Sequence, residues 1–245
     1  MKDAGPAFGP APRSSGLGLR FAGRPMTIAA MRIAVDAGGL EVPGTMVVPD
    51  GARGTVVFAH GSGSSHRSPR NARVAERLHR EGFATLRFDL LTPDEARDRS
   101  RVFDVALLAT RLRAAAGWMR GRPETASTRL AFFGASTGAA AALVAAAEMR
   151  GEVAAVVSRG GRPDLAGPAL ERVTAPTLLI VGGRDPDVLE LNRRARSRLA
   201  GESRVDVVPG AGHLFEEPGA LEDVADRAAA WFAAHVHGVP PDPPG

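Results

Sequence analysis

The 245 residues carry 31 Lys and Arg against 27 Asp and Glu, a formal net charge of +4, and no cysteine, which excludes disulfides, thiolate metal sites and a cysteine nucleophile and fits a reducing, cytoplasmic compartment. The sequence pI near 10.9 overstates the basicity, because with no tyrosine or cysteine and Lys2 the single lysine the basic end titrates almost wholly on arginine. The arginines are scattered among acids without interleaved aromatics, and no stretch offers the apolar run of a membrane span or signal peptide, so neither a nucleic-acid nor a membrane partner is expected.

In chain order, residues 1–25 mix Pro, Gly and Ser and read as a disordered tail. Residues 26–237 read as one domain, and the Pro-rich residues 238–245 as a second tail. Strand-like runs at 31–35 and 41–48 flank Asp36-Ala37-Gly38-Gly39 and predict an antiparallel hairpin, with Pro43 fitting an edge position. The first parallel strand is predicted at 54–59, followed by the loop His60-Gly61-Ser62-Gly63-Ser64-Ser65 and a helix over 71–80. A strand at 85–90 ends near Asp89, whose carboxylate is expected to accept N–H bonds from a neighbouring loop. Apolar residues from Val105 to Met119 share one face of a helix over 102–119, with Arg111, Arg113 and Arg120 largely off it.

Leu130 to Phe133 is a short apolar run suited to a buried strand, and the alanine-rich stretch from Gly138 suits a tightly packed helix. Between them Gly134-Ala135-Ser136-Thr137-Gly138 matches G-x-S-x-G, a turn in which the glycines permit close backbone approach and the serine is left at the tip. Further strands are predicted at 153–158, 177–181 and 205–208, with helices over 188–199 and 221–236. This alternation calls for a mostly parallel, doubly wound α/β sheet whose ligands bind at the carboxyl ends of the strands.

Every polar candidate falls at that edge. Ser136 is the candidate nucleophile; it needs an imidazole to take its proton and a carboxylate to hold that imidazole. His213, in a Gly-rich loop after the last strand, is the candidate base, ahead of His60, His66, His79, His235 and His237. Asp185, first after its strand, is the candidate acid, while Asp187 suits the cap of the helix that follows. Thr137 N–H and, from the loop after the first parallel strand, most simply Ser62 N–H, with Gly61 as the alternative, are the candidate oxyanion donors. Arg159 and Arg162 flank a Gly-Gly pair after a strand, so at least one guanidinium could grip a substrate carboxylate or phosphate; a salt bridge with Asp164, or the abundance of arginine, explains them equally well.

The segments FAHGSGSS (58–65), FFGASTG (132–138), LLIVGGRD (178–185) and PGAGH (209–213) resemble, in family order, the α/β-hydrolase superfamily and within it the small dienelactone-hydrolase-like proteins. The resemblance implies an α/β-hydrolase fold and the roles of oxyanion loop, nucleophile, acid and base for Ser62, Ser136, Asp185 and His213. Dienelactone hydrolase itself uses a cysteine where this chain has Ser136. Many superfamily members insert a helical cap before the strand that here starts at Thr177; this connection is too short for a lid, and no cap domain is expected. The leading expectation is a serine hydrolase, needing no metal or cofactor, that cleaves a small-molecule ester, thioester or related acyl bond through an acyl-enzyme. A non-catalytic hydrolase-fold binding protein and a cofactor-free perhydrolase with the same triad are the alternatives.

Overall fold

The computed structural model describes residues 19–21, 24–26 and 29–236. Two short strands, β1 (Leu19–Phe21) and β2 (Arg24–Met26), pair antiparallel as a separate ribbon; β1 and part of β2 fall in the segment read as tail. Most of that segment, and the C-terminal tail with His237, lie outside the described residues.

The main sheet holds eight strands: β3 (Ala29–Asp36), β4 (Glu41–Val48), β5 (Gly54–Ala59), β6 (Phe83–Phe88), β7 (Arg129–Ala135), β8 (Val153–Arg159), β9 (Thr177–Gly182) and β10 (Ser203–Val208), in the spatial order β10-β9-β8-β7-β5-β6-β4-β3. Pairings from β10 through to β6 are parallel; β4 joins β6, and β3 joins β4, antiparallel. The hairpin is where the sequence placed it, but β4 is an inner strand and Pro43 is not on an edge. Proline is tolerated there because registered pairing with β6 starts only at Gly44↔Phe88, and Pro43 uses its carbonyl, accepting from Asp89 N–H at 3.0 Å.

The central strands are apolar on both faces because both faces are covered. Val57, Phe132 and Val156 point to a core shared with α3 (Val105–Arg120) and α4 (Thr137–Glu148), whereas Phe58, Phe133 and Val157 point to one shared with α1 (Pro69–Arg80) and α6 (Ala220–Val236). Between β6 and β7 the expected single helix is broken: α2 (Arg99–Val102) ends at Phe103, and Asp104 restarts the chain by accepting Leu107 N–H at 3.0 Å as the cap of α3. Arg111 is buried rather than off the packed face. The β8–β9 connection is a kinked 3-10 segment, Pro163–Arg172, and α5 (Pro186–Arg196) follows β9. No lid domain intervenes.

His79 is buried on α1 with Nε2 2.7 Å from Thr85 Oγ1, and burial, assisted by the charge of Arg87, lowers its pKa to about 4. Above the model-peptide value of 6.5 both folded and unfolded chains hold it neutral; between there and about 4 only the unfolded chain takes the proton, so acidification through that window removes on the order of 3 kcal/mol of stability. Denaturant midpoints measured from pH 7 to pH 4 should fall steeply for the wild type and less for His79→Gln; equal slopes would clear this residue of the effect.

Candidate active site

The sharp reversal from β7 into α4 forms because no side chain obstructs it. A Cβ on Gly138 would lie 2.3 Å from Ala59 O, and one on Gly134 2.4 Å from Ala139 Cα. Ser136, between them, has φ 51° and ψ −122°, a region costing a non-glycine residue about 1–3 kcal/mol. Its backbone is held there on three sides: Ser136 N–H donates to Arg159 O at 3.2 Å, while its carbonyl accepts from Ala139 N–H and Arg162 N–H, each at 3.1 Å. Its hydroxyl has no hydrogen-bond partner among the described residues.

The acid and base loops leave the adjacent strands β9 and β10 and are tied together by backbone. Arg184 N–H donates to Ala211 O at 2.9 Å and Gly183 N–H to Val208 O at 2.9 Å. On this scaffold His213 Nδ1 lies 2.7 Å from Asp185 Oδ2. A carboxylate acceptor fixes the proton on Nδ1 and leaves Nε2 with a free lone pair. The base loop reaches the elbow through Gly160, where a Cβ would stand 3.1 Å from His213 O and 3.6 Å from His213 Cε1; Gly160 follows the residue whose carbonyl binds Ser136 N–H. Asp185 occupies the N-cap position of α5 with its side chain turned to the histidine, and Asp187 sits inside the first turn rather than capping it.

On the other side of the elbow, Gly61 packs so closely that a Cβ would lie 2.9 Å from Ser136 Cβ. Thr137 N–H is at the first helical position, where no intrahelical acceptor exists. Ser62 N–H points at the same corner but is engaged, donating to Thr137 Oγ1 at 3.0 Å. His60 is structural: Nδ1 donates to Gly61 O at 2.9 Å, Nε2 accepts Leu90 N–H at 3.0 Å, and burial lowers its pKa. Asp89 accepts both N–H and Nδ1–H of His66, at 2.6 and 2.9 Å, the loop-holding part expected of it. His235 is not freely solvated; its ring stacks 4.1 Å from that of Trp231.

A family model for the dienelactone hydrolase family matches residues 42–236. The chain belongs to the dienelactone hydrolase family. Among solved structures, a dienelactone hydrolase from Anabaena variabilis is 51% identical, with a TM-score of 0.82 over 85% of this chain and 99% of that one. The esterase Est1E from Butyrivibrio proteoclasticus shares the fold at 16% identity and a TM-score of 0.70, covering 84% of this chain and 98% of its own. A Mycobacterium tuberculosis protein named as a phosphoribosyl transferase is 60% identical over 213 residues, 87% of this chain but 48% of its own length, so the chain spans about half of that relative. A second, uncharacterised M. tuberculosis protein is 31% identical over 85% of this chain and 78% of its own.

Within this dienelactone hydrolase fold the two candidate anion-binding arginines are occupied differently. Arg162 is paired with Asp164 through two hydrogen bonds of 2.9 and 2.7 Å. Arg159 is buried, its Nε and Nη1 lack hydrogen-bond partners, and burial, with the charge of Arg70, lowers its pKa to about 10. Neither lines the cavity of about 320 Å³ beside the oxyanion loop, whose walls include Ser62, Thr137, Leu90, Leu91, Val102 and Leu108. Among the described residues no group of three or more His, Asp or Glu side chains is placed to hold a metal ion, and no helix is long and apolar enough to cross a membrane.

Three supporting groups escaped the sequence reading. Glu217 Oε1 accepts Gly212 N–H at 3.0 Å and also binds Arg184, fixing the base loop from outside. Phe215, buried at φ 55°, anchors that loop against Gly160. Glu95 is bound by Arg111 through two contacts of 2.6 and 2.7 Å, which hold its carboxyl at about 2. The Arg184–Glu217 and Arg111–Glu95 pairs join residues 33 and 16 positions apart, a separation no local sequence pattern reveals.

Proposed function

We propose that this chain is a serine hydrolase that cleaves an ester, thioester or related acyl bond of a small molecule through an acyl-enzyme. The observation that carries the reading is the 2.7 Å Asp185–His213 hydrogen bond on loops that flank a strained serine. Family membership and the esterase neighbours support it.

In this reading Ser136 Oγ attacks the acyl carbon while His213 Nε2 takes its proton, and Asp185 stabilises the resulting imidazolium. The carbonyl oxygen, now negative, accepts from Thr137 N–H and from Ser62 N–H, which exchanges Thr137 Oγ1 for the stronger charged acceptor. His213 returns its proton to the leaving oxygen or sulfur as the bond to the acyl carbon breaks. A water, deprotonated by the same imidazole, then attacks the Ser136 ester and releases the acid, restoring the serine.

A fluorophosphonate probe should label the wild-type protein at a single site, located by peptide mass spectrometry to the tryptic fragment containing Ser136. Labelling elsewhere, or none alongside absent ester hydrolysis, would remove the reading.

A further inference from the structure

The carboxyl edge of the sheet divides at Ser136. On one side lie β8, β9 and β10, whose loops carry Gly160, Asp185 and His213; on the other lie β5 and β6, whose loops carry residues 60–65 and 89–93. The cavity of about 320 Å³ is lined from the second side, by the oxyanion loop, the segment 89–102 and Leu108, and it meets the elbow at Thr137; neither Ser136 nor His213 is part of its wall. In an acyl transfer the leaving atom must stand where the imidazole can protonate it, while the carbonyl oxygen faces the oxyanion donors. The alcohol therefore occupies the His213 side and the acyl chain the other.

We propose that this cavity is the acyl subsite, that it takes an uncharged apolar chain, and that Val102 and Leu108 at its wall set the chain length accepted; the proposal rests on the roles given above to Ser136 and His213. The lining is mainly apolar, and it contains no arginine or lysine. Its one carboxylate, Asp89, is committed to His66 through Oδ1, and His60 is held neutral by burial. An acyl chain ending in a carboxylate would thus lose water, gain no cation and meet a like charge. An engineered apolar cavity of about 150 Å³ accommodates benzene; twice that volume, less the mouth, admits a chain of roughly six to eight carbons.

The wall is also fixed. Arg111, on α3, donates to Leu90 O at 3.0 Å as well as to Glu95, and Glu95 accepts Thr92 N–H at 2.9 Å. This clamp holds residues 90–95 against α3, so that the wall does not yield to a longer chain. On the leaving-group side His213 is exposed, and the neighbouring Leu214 stands out to solvent. Selectivity is expected for the acid and tolerance for the alcohol.

The test is a series of p-nitrophenyl esters from acetate to dodecanoate, with a second series of one acid esterified to alcohols of increasing size. Wild-type kcat/KM should rise about fourfold per methylene up to hexanoate or octanoate and fall beyond. Val102→Phe, at a half-buried position, should lose about tenfold more on hexanoate than on acetate, and Leu108→Ala should move the optimum to longer chains. Both variants should leave the alcohol series parallel to wild type. The p-nitrophenyl hemisuccinate should react at least about tenfold more slowly than the butyrate. Identical chain-length profiles in all three proteins, a change confined to the alcohol series, or hemisuccinate as the better substrate would each overturn the acyl subsite while Ser136 labelling left the hydrolase reading standing. Absence of both labelling and hydrolysis would remove the two together. Because Leu108 is core and its alanine variant can fail to fold, Val102→Phe alone suffices for the decision.

Discussion

Replacing Ser136 with alanine is expected to remove nearly all ester turnover, with kcat falling by as much as about 10⁶, the scale seen when the nucleophile or base of a protease triad is deleted. His213→Ala should fall almost as far, and the double variant little further, because in the proposed mechanism the two act as one unit and the second deletion removes nothing that still works. The fold should survive both. Alanine at position 136 meets the same positive φ as serine and loses a hydroxyl that has no hydrogen-bond partner among the described residues, so thermal stability should change by less than about 1 kcal/mol. The backbone bonds that hold the elbow, from Ser136 N–H to Arg159 O and from Arg162 N–H to Ser136 O, do not involve the side chain. Steady-state assays on protein cleared of contaminating esterases, with melting curves of each variant, check both halves. A tenth of wild-type activity in Ser136→Ala would place the nucleophile elsewhere.

The parts of this site that were legible in the sequence are those written in local pattern. Runs buried on both faces, such as 54–59 and 130–133, have no alternation and lead into glycine-containing turns, so strands and the elbow between β7 and α4 could be located directly. Strand ends then placed Asp185 and His213 on one edge, and the structure joins them. What was not legible depends on partners far along the chain. Arg111 looks solvent-facing by periodicity, yet Glu95 and Leu90 O draw it inward. Asp104 divides a continuous helical pattern because its side chain satisfies a helix N–H better than the next turn of helix could. Ser62 N–H, the expected oxyanion donor, lies beside Thr137, but nothing in a sequence reveals that the threonine hydroxyl accepts it. Arginine abundance made Arg159 and Arg162 ambiguous, and Asp164 settles only the second.

Asp185→Asn should lower kcat by about 10³ to 10⁴ without disturbing the fold, whereas Asp187→Asn should leave kcat within about twofold of wild type. The asymmetry follows from what each carboxylate touches. Asp185 Oδ2 accepts from His213 Nδ1 at 2.7 Å, so the ring proton is held on Nδ1 and Nε2 keeps a free lone pair. An asparagine there can turn its amide NH₂ to Nδ1, which moves the ring proton to Nε2 and removes the lone pair that, in the proposed mechanism, receives the Ser136 proton. The backbone would stay in place, because Asp185 N–H to Gly182 O at 3.1 Å and Leu189 N–H to Asp185 O at 2.9 Å are main-chain bonds. The Asp187 carboxylate has no hydrogen bond or ion pair among the described residues; it stands in the first turn of α5, where a negative charge is worth only about 0.3–1 kcal/mol against the helix dipole. Its loss should appear as a slight fall in melting temperature and nothing in the chemistry. Nitrogen-15 spectra of the His213 ring distinguish the causes: in Asp185→Asn the proton should be found on Nε2, and in Asp187→Asn on Nδ1 as in the wild type. A large loss of kcat in Asp187→Asn with Asp185→Asn near normal would transfer the acid role to Asp187 and require the loop after β9 to rearrange when substrate binds.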